Sequence, residues 1–354
     1  MLTRARKILV RATNWIGDSV MSLPALEQLK MAFPEAHITV LLRPWVKPIY
    51  EAHPAVDQII VYEKEDGLKR IHQLTKIIKR LKKEGFDTAV LFQNAFEAAL
   101  IGFFSGARLR VGLDSDMRRL FLTHPVKRKK QHHIKNYLDI VSALGVKTEE
   151  KAPVLYLKES HILEADNLLK DLGIDKRQFL VGFSPGAAYG PAKRWPADSF
   201  AQIAKKAIKS WNAKVLLFGS KKETDICRQI QQKVGKDVID LCGKLELGTA
   251  MGVIKRCDIF LSNDSGLMHV ASALGIPTIG IFGSTDPELT GPKGSFSYVI
   301  KSNISCSPCF KRECPKKRNN MECLYSISPD QVWEKMEEIR DEACSILRQR
   351  RNYK

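Results

Sequence analysis

The stretch LSNDSGLMHVASALGIPTIGIFGSTDP, residues 261–287, carries the clearest fold signal in the chain. An apolar run ends in a polar tip at Asn263, and the turn 264–266 leads into an apolar-periodic segment, 267–274. A glycine and a proline end that segment, and a second apolar run follows at 278–282. This order predicts a compact βαβ unit whose turn exposes the N–H groups at a helix start, a place that favours an anion such as phosphate. Local pattern alone is explained equally well by a simple helix cap.

The chain has 354 residues, of which 44% are hydrophobic and 27% charged, a globular composition with length for about two domains. The sequence has no apolar run of the roughly 18–20 residues that a membrane-spanning helix needs. The apolar stretch before Arg11 is too short for a secretory signal. We therefore expect the chain to stay in the cytoplasm, where its eight cysteines are thiols or ligands rather than disulfides.

The formal net charge of +18 constrains the partners. A nucleic acid, an anionic membrane surface or a phosphorylated substrate would suit such a positive field. A generally basic, solvated surface without a specific partner would give the same net charge.

Apolar strand patterns alternate with helical patterns along the whole chain, which indicates α/β architecture with parallel sheets covered on both faces. Two such series meet near a proline-containing stretch of weak periodicity, 146–160. We therefore expect two Rossmann-like domains facing a central cleft, residues 1–172 and 173–328, followed by a C-terminal amphipathic helix, 329–354. Its apolar stripe comprises Val332, Met336, Ile339, Ala343, Ile346 and Leu347.

The first strand-to-helix turn, 11–18, contains a single glycine, so the G-x-G-x-x-G fingerprint of dinucleotide-binding enzymes is absent and a dehydrogenase is disfavoured. The turn ends in Asp18, at the strand edge where ligands bind in such folds. A capping role at the start of the following helix is the alternative for this carboxylate.

The second domain opens with a glycine-rich loop, SPGAAYGPAKRWP, residues 184–196. Lys193 and Arg194 precede the proline that starts a helix, and backbone N–H groups with two cations can bind a diphosphate. At a further strand-to-helix turn, Glu223 can accept hydrogen bonds from a ribose diol, although helix-start charge explains it as well. His269 lies one turn into the helix of the opening stretch, beside the expected anion site, and the alternative for it is a packing or solvent-facing residue.

A cysteine-rich segment and a lysine-rich segment remain. The four cysteines of C-x2-C-x4-C-x8-C have metal-ligand spacing only in the first pair, so thiols in a loop are favoured over a structural metal. They are Cys306, Cys309, Cys314 and Cys323. The run VKRKKQHHIK, 126–135, lacks the interleaved aromatics of single-strand nucleic-acid binders, and phosphate, carboxylate or lipid contacts explain it at least as well.

Three motifs together resemble the ADP-heptose–lipopolysaccharide heptosyltransferases of glycosyltransferase family 9, which have the two-domain GT-B fold. They are NWIGDSVMSLPAL, SPGAAYGPAKRWP and NDSGLMHVASALGIPTIGIFGSTDP, and the resemblance spans nearly the whole chain. The GPAKRWP and CSPCFKREC forms are most similar to the branch that adds the second heptose of the inner core. The resemblance implies an inverting transfer of heptose from ADP-L-glycero-D-manno-heptose to the first heptose, and a C-terminal helix that crosses back to the N-terminal domain.

Residue roles follow from this resemblance. Asp18 matches the general base and Lys193 the lysine that offsets charge on the departing ADP. The expected donor-binding residues are Gly186, Ala187, Lys193, Arg194, Glu223, Asp264, Ser265, Gly266, Leu267 and His269. The expected acceptor-binding cations are Lys127, Arg128, Lys129, Lys130 and Lys135. No metal or other cofactor is carried over for the transfer step.

The expected partners are the ADP-heptose donor, a phosphorylated heptosyl-Kdo-lipid A acceptor and, peripherally, the anionic inner face of the cytoplasmic membrane, with no nucleic acid. Three alternatives stay open. They are a related GT-B enzyme with another donor, a sugar-nucleotide epimerase, and a basic nucleic-acid-binding protein. Donor identity does not follow from spacing.

Overall fold

A computed structural model of the chain describes residues 5–63, 67–316, 318 and 320–351, with backbone alone at 68, 69 and 342–351. It divides into two compact units, Met1–Lys158 and Glu159–Lys354. The predicted boundary followed residue 172. The observed one comes earlier because helix Glu159–Asp171 packs against helix Leu247–Lys255 of the second unit.

The first unit alternates strands and helices, as predicted. In chain order its elements are β1 (Lys7–Arg11), α1 (Ile16–Ala32), β2 (His37–Leu42), a 3₁₀ turn (Pro44–Val46), α2 (Lys47–Tyr50), β3 (Gln58–Val61), α3 (Leu68–Glu84), β4 (Thr88–Leu91), α4 (Phe96–Phe104), β5 (Leu109–Leu113), a 3₁₀ turn (Arg118–Phe121), β6 (His124–Val126) and α5 (His133–Ser142). Strand β6 pairs with β5 at the sheet edge and ends at Val126, the first residue of the cationic run.

The sheet of the first unit has the order β3-β2-β1-β4-β5-β6, and every pairing is parallel. Val10 of β1 lies opposite Val40 on one side and Val90 on the other. Chain order reverses between β1 and β4, so the loops after these two strands open a crevice at the carboxyl edge, where ligands bind in such sheets.

The second unit repeats the pattern. Its elements are α6 (Glu159–Asp171), β7 (Leu180–Ser184), a 3₁₀ turn (Pro191–Lys193), α7 (Ala197–Trp211), β8 (Lys214–Leu217), a 3₁₀ turn (Lys221–Glu223), α8 (Thr224–Val234), β9 (Val238–Asp240), α9 (Leu247–Lys255), β10 (Ile259–Asn263), α10 (Gly266–Ala273), β11 (Thr278–Phe282), α11 (Pro287–Thr290), β12 (Ser297–Lys301), α12 (Glu322–Tyr325) and α13 (Pro329–Arg351).

Its sheet, β12-β11-β10-β7-β8-β9, is also parallel throughout. The stretch 261–287 forms β10, α10 and β11, which confirms the predicted βαβ unit. Every residue of β10 and β11 is buried, as expected for strands covered on both faces. Chain order reverses between β7 and β10, so the loops that follow them lie side by side.

Helix α13 packs its first turns into the core of the second unit. Val332, Met336 and Ile339 of the predicted stripe are buried there, and Trp333 stacks on Trp211 at 4.5 Å between ring centroids. The sequence-based expectation was burial of this stripe on the N-terminal domain. Periodicity predicts that a stripe is buried but not against which surface. The side chains of Ala343, Ile346 and Leu347 lie outside the described residues, so a crossing of this helix to the first domain stays a prediction.

Within the described ranges, no helix combines the length and the apolar character that a bilayer crossing requires.

Candidate active site

Asp18 lies in the first turn of α1, which begins at Ile16 with Trp15 as its N-cap. The carboxylate therefore does not occupy the capping position that was its alternative interpretation. Its Oδ1 accepts a hydrogen bond from the hydroxyl of Tyr137 at 3.1 Å and lies 3.3 Å from Nδ1 of His133. The N–H groups at the helix start favour negative charge at this position.

Tyr137 is fixed in its neutral, hydrogen-donating form. It is 5% exposed. Burial, then the charge of Asp18 and its hydrogen bond, raise the pKa of the phenol well above the usual value. Sequence reasoning missed Tyr137 and His133, although their spacing of four residues puts both on one face of α5.

Asp18 lines a cavity of about 240 Å³ in the first unit. Of the five predicted acceptor-binding cations, Arg128 also lines this cavity, with Nη2 3.4 Å from Nε2 of His133. Two others form ion pairs elsewhere, Lys129 with Asp139 and Lys135 with Glu150. Lys127 and Lys130 are exposed and do not line it. The structure therefore brings one of the five predicted cations, Arg128, to the cavity of the carboxylate.

In the second unit, Asn263 at the end of β10 holds the glycine-rich loop in place. Its Nδ2 donates to the carbonyl of Pro185 at 2.7 Å, and its Oδ1 accepts from the backbone N–H of Trp195 at 3.0 Å. Trp195 is completely buried, and its Nε1 donates to the carbonyl of Ile327. The loop is therefore fixed at both ends by the neighbouring strand.

This arrangement brings Lys193 to Asp264. The Nζ of Lys193 lies 2.5 Å from Oδ2 of Asp264, which also accepts from the Thr285 hydroxyl at 2.7 Å. The side chains of lysine and aspartate are 13% and 7% exposed. Lys193 also lies 4.8 Å from the ring centroid of Tyr189. Asp264 thus orients the lysine at the start of α10 and leaves it further N–H donors.

Glu223 lies at the same edge of the sheet, in the 3₁₀ turn that follows β8. Its Oε2 accepts from both the backbone N–H and the hydroxyl of Ser220, at 2.8 and 2.7 Å, in a capping box. Its Oε1 lies so close to Gly186 that a Cβ there would be 2.1 Å away. Two predicted donor-binding residues distant in sequence, Gly186 and Glu223, are thus in direct contact.

The other predicted donor-binding residues surround this helix start. Ser265 is the N-cap of α10, with Oγ 2.9 Å from Oγ of Ser262. The Nη2 of Arg194 donates to the carbonyl of Ala187 at 3.4 Å. The remaining three are the first helical residues, Gly266 and Leu267, and the buried His269.

The cysteine loop packs beside the glycine-rich loop. The carbonyl of Phe310 accepts from the Tyr189 hydroxyl at 3.0 Å, and that of Arg312 accepts from the Ala192 N–H at 3.1 Å. Among the described residues, the one group of three or more possible metal ligands within 4.8 Å of one another is Cys227, Asp240 and Cys242, which lies outside the cysteine loop. The loop therefore supports the donor side of the site through backbone contacts.

Comparisons with known proteins agree with this geometry. The sequence profile of glycosyltransferase family 9 (heptosyltransferase) matches residues 74–319. Lipooligosaccharide heptosyltransferase 2 of Haemophilus influenzae is 30% identical over 344 residues, which cover 94% of this chain and 99% of that protein.

Two solved structures are also similar over nearly their whole length. E. coli ADP-heptose lps heptosyltransferase II superposes with a TM-score of 0.82 at 27% identity, covering 95% of this chain and 99% of that one. A family 9 glycosyltransferase of Veillonella parvula gives 0.86 at 25% identity, covering 97% and 99%.

Fold and comparisons define an enzyme of the glycosyltransferase class with a GT-B-like fold. The chain belongs to glycosyltransferase family 9, the heptosyltransferase family.

Proposed function

We propose that the chain is a heptosyltransferase II. It transfers heptose from ADP-L-glycero-D-manno-heptose to the first heptose of the lipopolysaccharide inner core, with inversion at the anomeric carbon. The observation that carries this proposal is the identity of about 30% to a heptosyltransferase 2 over 94% of the chain.

The donor binds the second unit. Its diphosphate meets the N–H groups at the start of α10, together with Lys193 and Arg194, and its ribose diol meets Glu223. Support comes from the contact of Glu223 with Gly186 and of Lys193 with Asp264, which gather these groups at one sheet edge. Charge that develops on the departing ADP is stabilised by positive groups already held in place. These cations are the reason that we propose no metal for the step.

The first unit supplies the base. Asp18 takes the proton from the acceptor hydroxyl as its oxygen attacks the anomeric carbon on the face opposite to ADP, and the bond to the diphosphate oxygen breaks. The transition state has oxocarbenium character, as in glycoside chemistry generally. The Tyr137 hydroxyl, held neutral, donates to Oδ1 of the carboxylate and so fixes its orientation in the cavity.

The acceptor is a phosphorylated heptosyl-Kdo-lipid A, which carries negative charge and lies at the inner face of the cytoplasmic membrane. We propose that the chain acts in the cytoplasm and associates peripherally with that surface. The net charge of +18 supports attraction to anionic lipid.

Two measurements test the proposal. Calorimetry should give tighter binding of ADP than of UDP. A preference for UDP would rule out ADP-heptose as the donor and favour another GT-B glycosyltransferase or an epimerase. Release of ADP from ADP-heptose in the presence of acceptor should fall by roughly a hundredfold or more in Asp18→Asn. Full turnover in a folded Asp18→Asn variant would overturn the assignment of the base.

A further inference from the structure

A second cavity of about 510 Å³ lies in the first unit at the carboxyl edge of its sheet, and we call it the arginine cavity. Its charged and aromatic lining residues are Arg11, Arg43, Arg70, Glu97, Trp45 and Phe96. Arg11 ends β1, Arg43 follows β2, and Glu97 follows β4. The cavity has the size of a ligand site and the position where parallel sheets bind ligands.

Positive charge in the cavity exceeds negative charge. Of the described residues that line it, three are arginines and one, Glu97, is acidic. Glu97 meets Arg43 at 3.2 Å and Arg70 at 2.7 Å. Arg11 and Arg43 are each 2% exposed. Two such buried guanidinium groups are costly without enough negative charge, so the lining favours an anion.

Of the three arginines, Arg11 is the one whose buried positive charge and N–H donors are least satisfied by neighbouring groups. Its Nη1 donates to the carbonyls of Ala12 and Leu41, at 2.5 and 3.4 Å, and its Nη2 donates to Oδ1 of Asn14 at 3.0 Å. Its buried Nε has no hydrogen-bond partner among the described residues. Burial, followed by the charge of Arg43, lowers the pKa of Arg11 to about 10, which leaves it cationic at neutral pH. A fully buried cation with an unused donor therefore lines the cavity.

Exposed aromatic rings border these cations. Trp45 is 53% exposed and Phe96 42%. The Nε1 of Trp45 donates to the carbonyl of Asn14 at 2.8 Å, which fixes the ring while its face stays open. A fixed, exposed indole is an amphipathic platform with an apolar face and a polar edge. Cations together with such a ring suit an acidic sugar better than a free inorganic anion.

The arginine cavity adjoins the Asp18 cavity. Gln93 lines both, and its Oε1 accepts from the backbone N–H of Asn14 at 3.0 Å. Asn14 lines the arginine cavity, whereas Thr13 and Trp15, its neighbours in sequence, line the cavity of Asp18. A saccharide with one hydroxyl at Asp18 thus has a second, charged subsite next to it.

We propose that the arginine cavity binds an acidic sugar residue of the acceptor. Its carboxylate or phosphate meets Arg11, Arg43 and Arg70, and its ring lies against Trp45. This subsite rests on the proposed transfer reaction, since it selects acceptors that carry negative charge beside the reacting hydroxyl.

Steady-state kinetics on the full chain tests the subsite. Arg70→Met and Trp45→Leu should each raise the KM for acceptor about tenfold, the effect of one charged hydrogen bond or one ring contact, and leave the KM for ADP-heptose unchanged. Arg108→Met is the matched control, because Arg108 is exposed and lies outside both cavities. Unchanged acceptor KM in both variants, with normal turnover by the wild type, overturns the subsite but not the transfer reaction. Absence of transfer by the wild type overturns the reaction itself.

Glu97→Gln distinguishes binding from simple support of the fold. Glutamine keeps one acceptor oxygen, enough for one of the two arginines, and removes the charge that competes with a ligand anion. The KM for acceptor should therefore fall severalfold. A rise in KM at an unchanged melting temperature would contradict the proposal.

Small probes identify the anion. Ligand-observed NMR should detect D-glucuronate or glucose 6-phosphate, but not glucose, with signals lost in Arg70→Met. Preference for glucuronate assigns a carboxylated residue and preference for the phosphate a phosphorylated one. Equal binding of glucose would refute recognition by charge.

Discussion

Replacement of Gly186 by alanine tests how the donor side of the site is built. The added methyl would lie 2.1 Å from Oε1, 2.3 Å from Cδ and 2.7 Å from Cγ of Glu223. These separations are far below van der Waals contact, so the Glu223 side chain must leave its position. It would then lose both hydrogen bonds from Ser220.

The expected losses of stability and of ADP affinity follow from those hydrogen bonds. Loss of a capping interaction costs about 1–2 kcal/mol of stability. If Oε1 also accepts from the ribose, ADP binding weakens by roughly tenfold or more. Urea unfolding measures the stability, and calorimetry with ADP measures the affinity.

Glu223→Ala provides the control for Gly186→Ala. Once the carboxylate is gone, the methyl at position 186 has room, so the double variant should match Glu223→Ala alone in stability and in ADP affinity. The coupling energy should be about 1–2 kcal/mol. Additive losses in the double variant would refute the steric contact as the cause.

Three further predictions concern buried groups. Lys193→Met leaves the carboxylate of Asp264 buried without its cation and should cost about 3 kcal/mol in urea unfolding. Adding Asp264→Asn should restore most of this loss, and no recovery would contradict the pairing. Tyr137→Phe should lower kcat about tenfold and leave the alkaline side of the pH–rate profile unchanged up to pH 10, because the pKa of this buried phenol is raised and it stays a donor. Loss of an alkaline limb in the variant would count against that role. Burial raises the pKa of Cys257, so the folded state keeps a proton that the unfolded chain loses above about pH 8.5. Stability should therefore fall by about 2 kcal/mol between pH 8 and 10 from this thiol, and Cys257→Ala should show a correspondingly smaller fall.

The sequence predicts the architecture well because parallel sheets leave a strong local signature. The run 259–263, the turn that follows and the stop after 274 required strand, helix and strand in that order, and the structure has them at these positions. Placement of Asp18, Lys193 and Asp264 at carboxyl edges follows from the same logic, since successive parallel strands end on one side of a sheet.

Contacts between distant segments could not be predicted this way. Tyr137 reaches Asp18 across 119 positions, and nothing in the local pattern of α5 marks a partner. The same holds for Gly186, whose missing side chain makes room for Glu223. The cationic run stands out by its charge density, but charge density does not show which side chains face the site. Of the five predicted cations, all of them described, Arg128 alone lines the Asp18 cavity.

The most direct test of the account is transfer itself, followed by mass spectrometry of the acceptor. Purified chain is incubated with ADP-heptose and either a Kdo-lipid A acceptor that already carries one heptose or the same acceptor without it. The account predicts addition of one heptose to the first acceptor, with stoichiometric ADP release, and none to the second. Transfer to the acceptor without heptose, or transfer to neither while the folded chain binds UDP in preference to ADP, would contradict it.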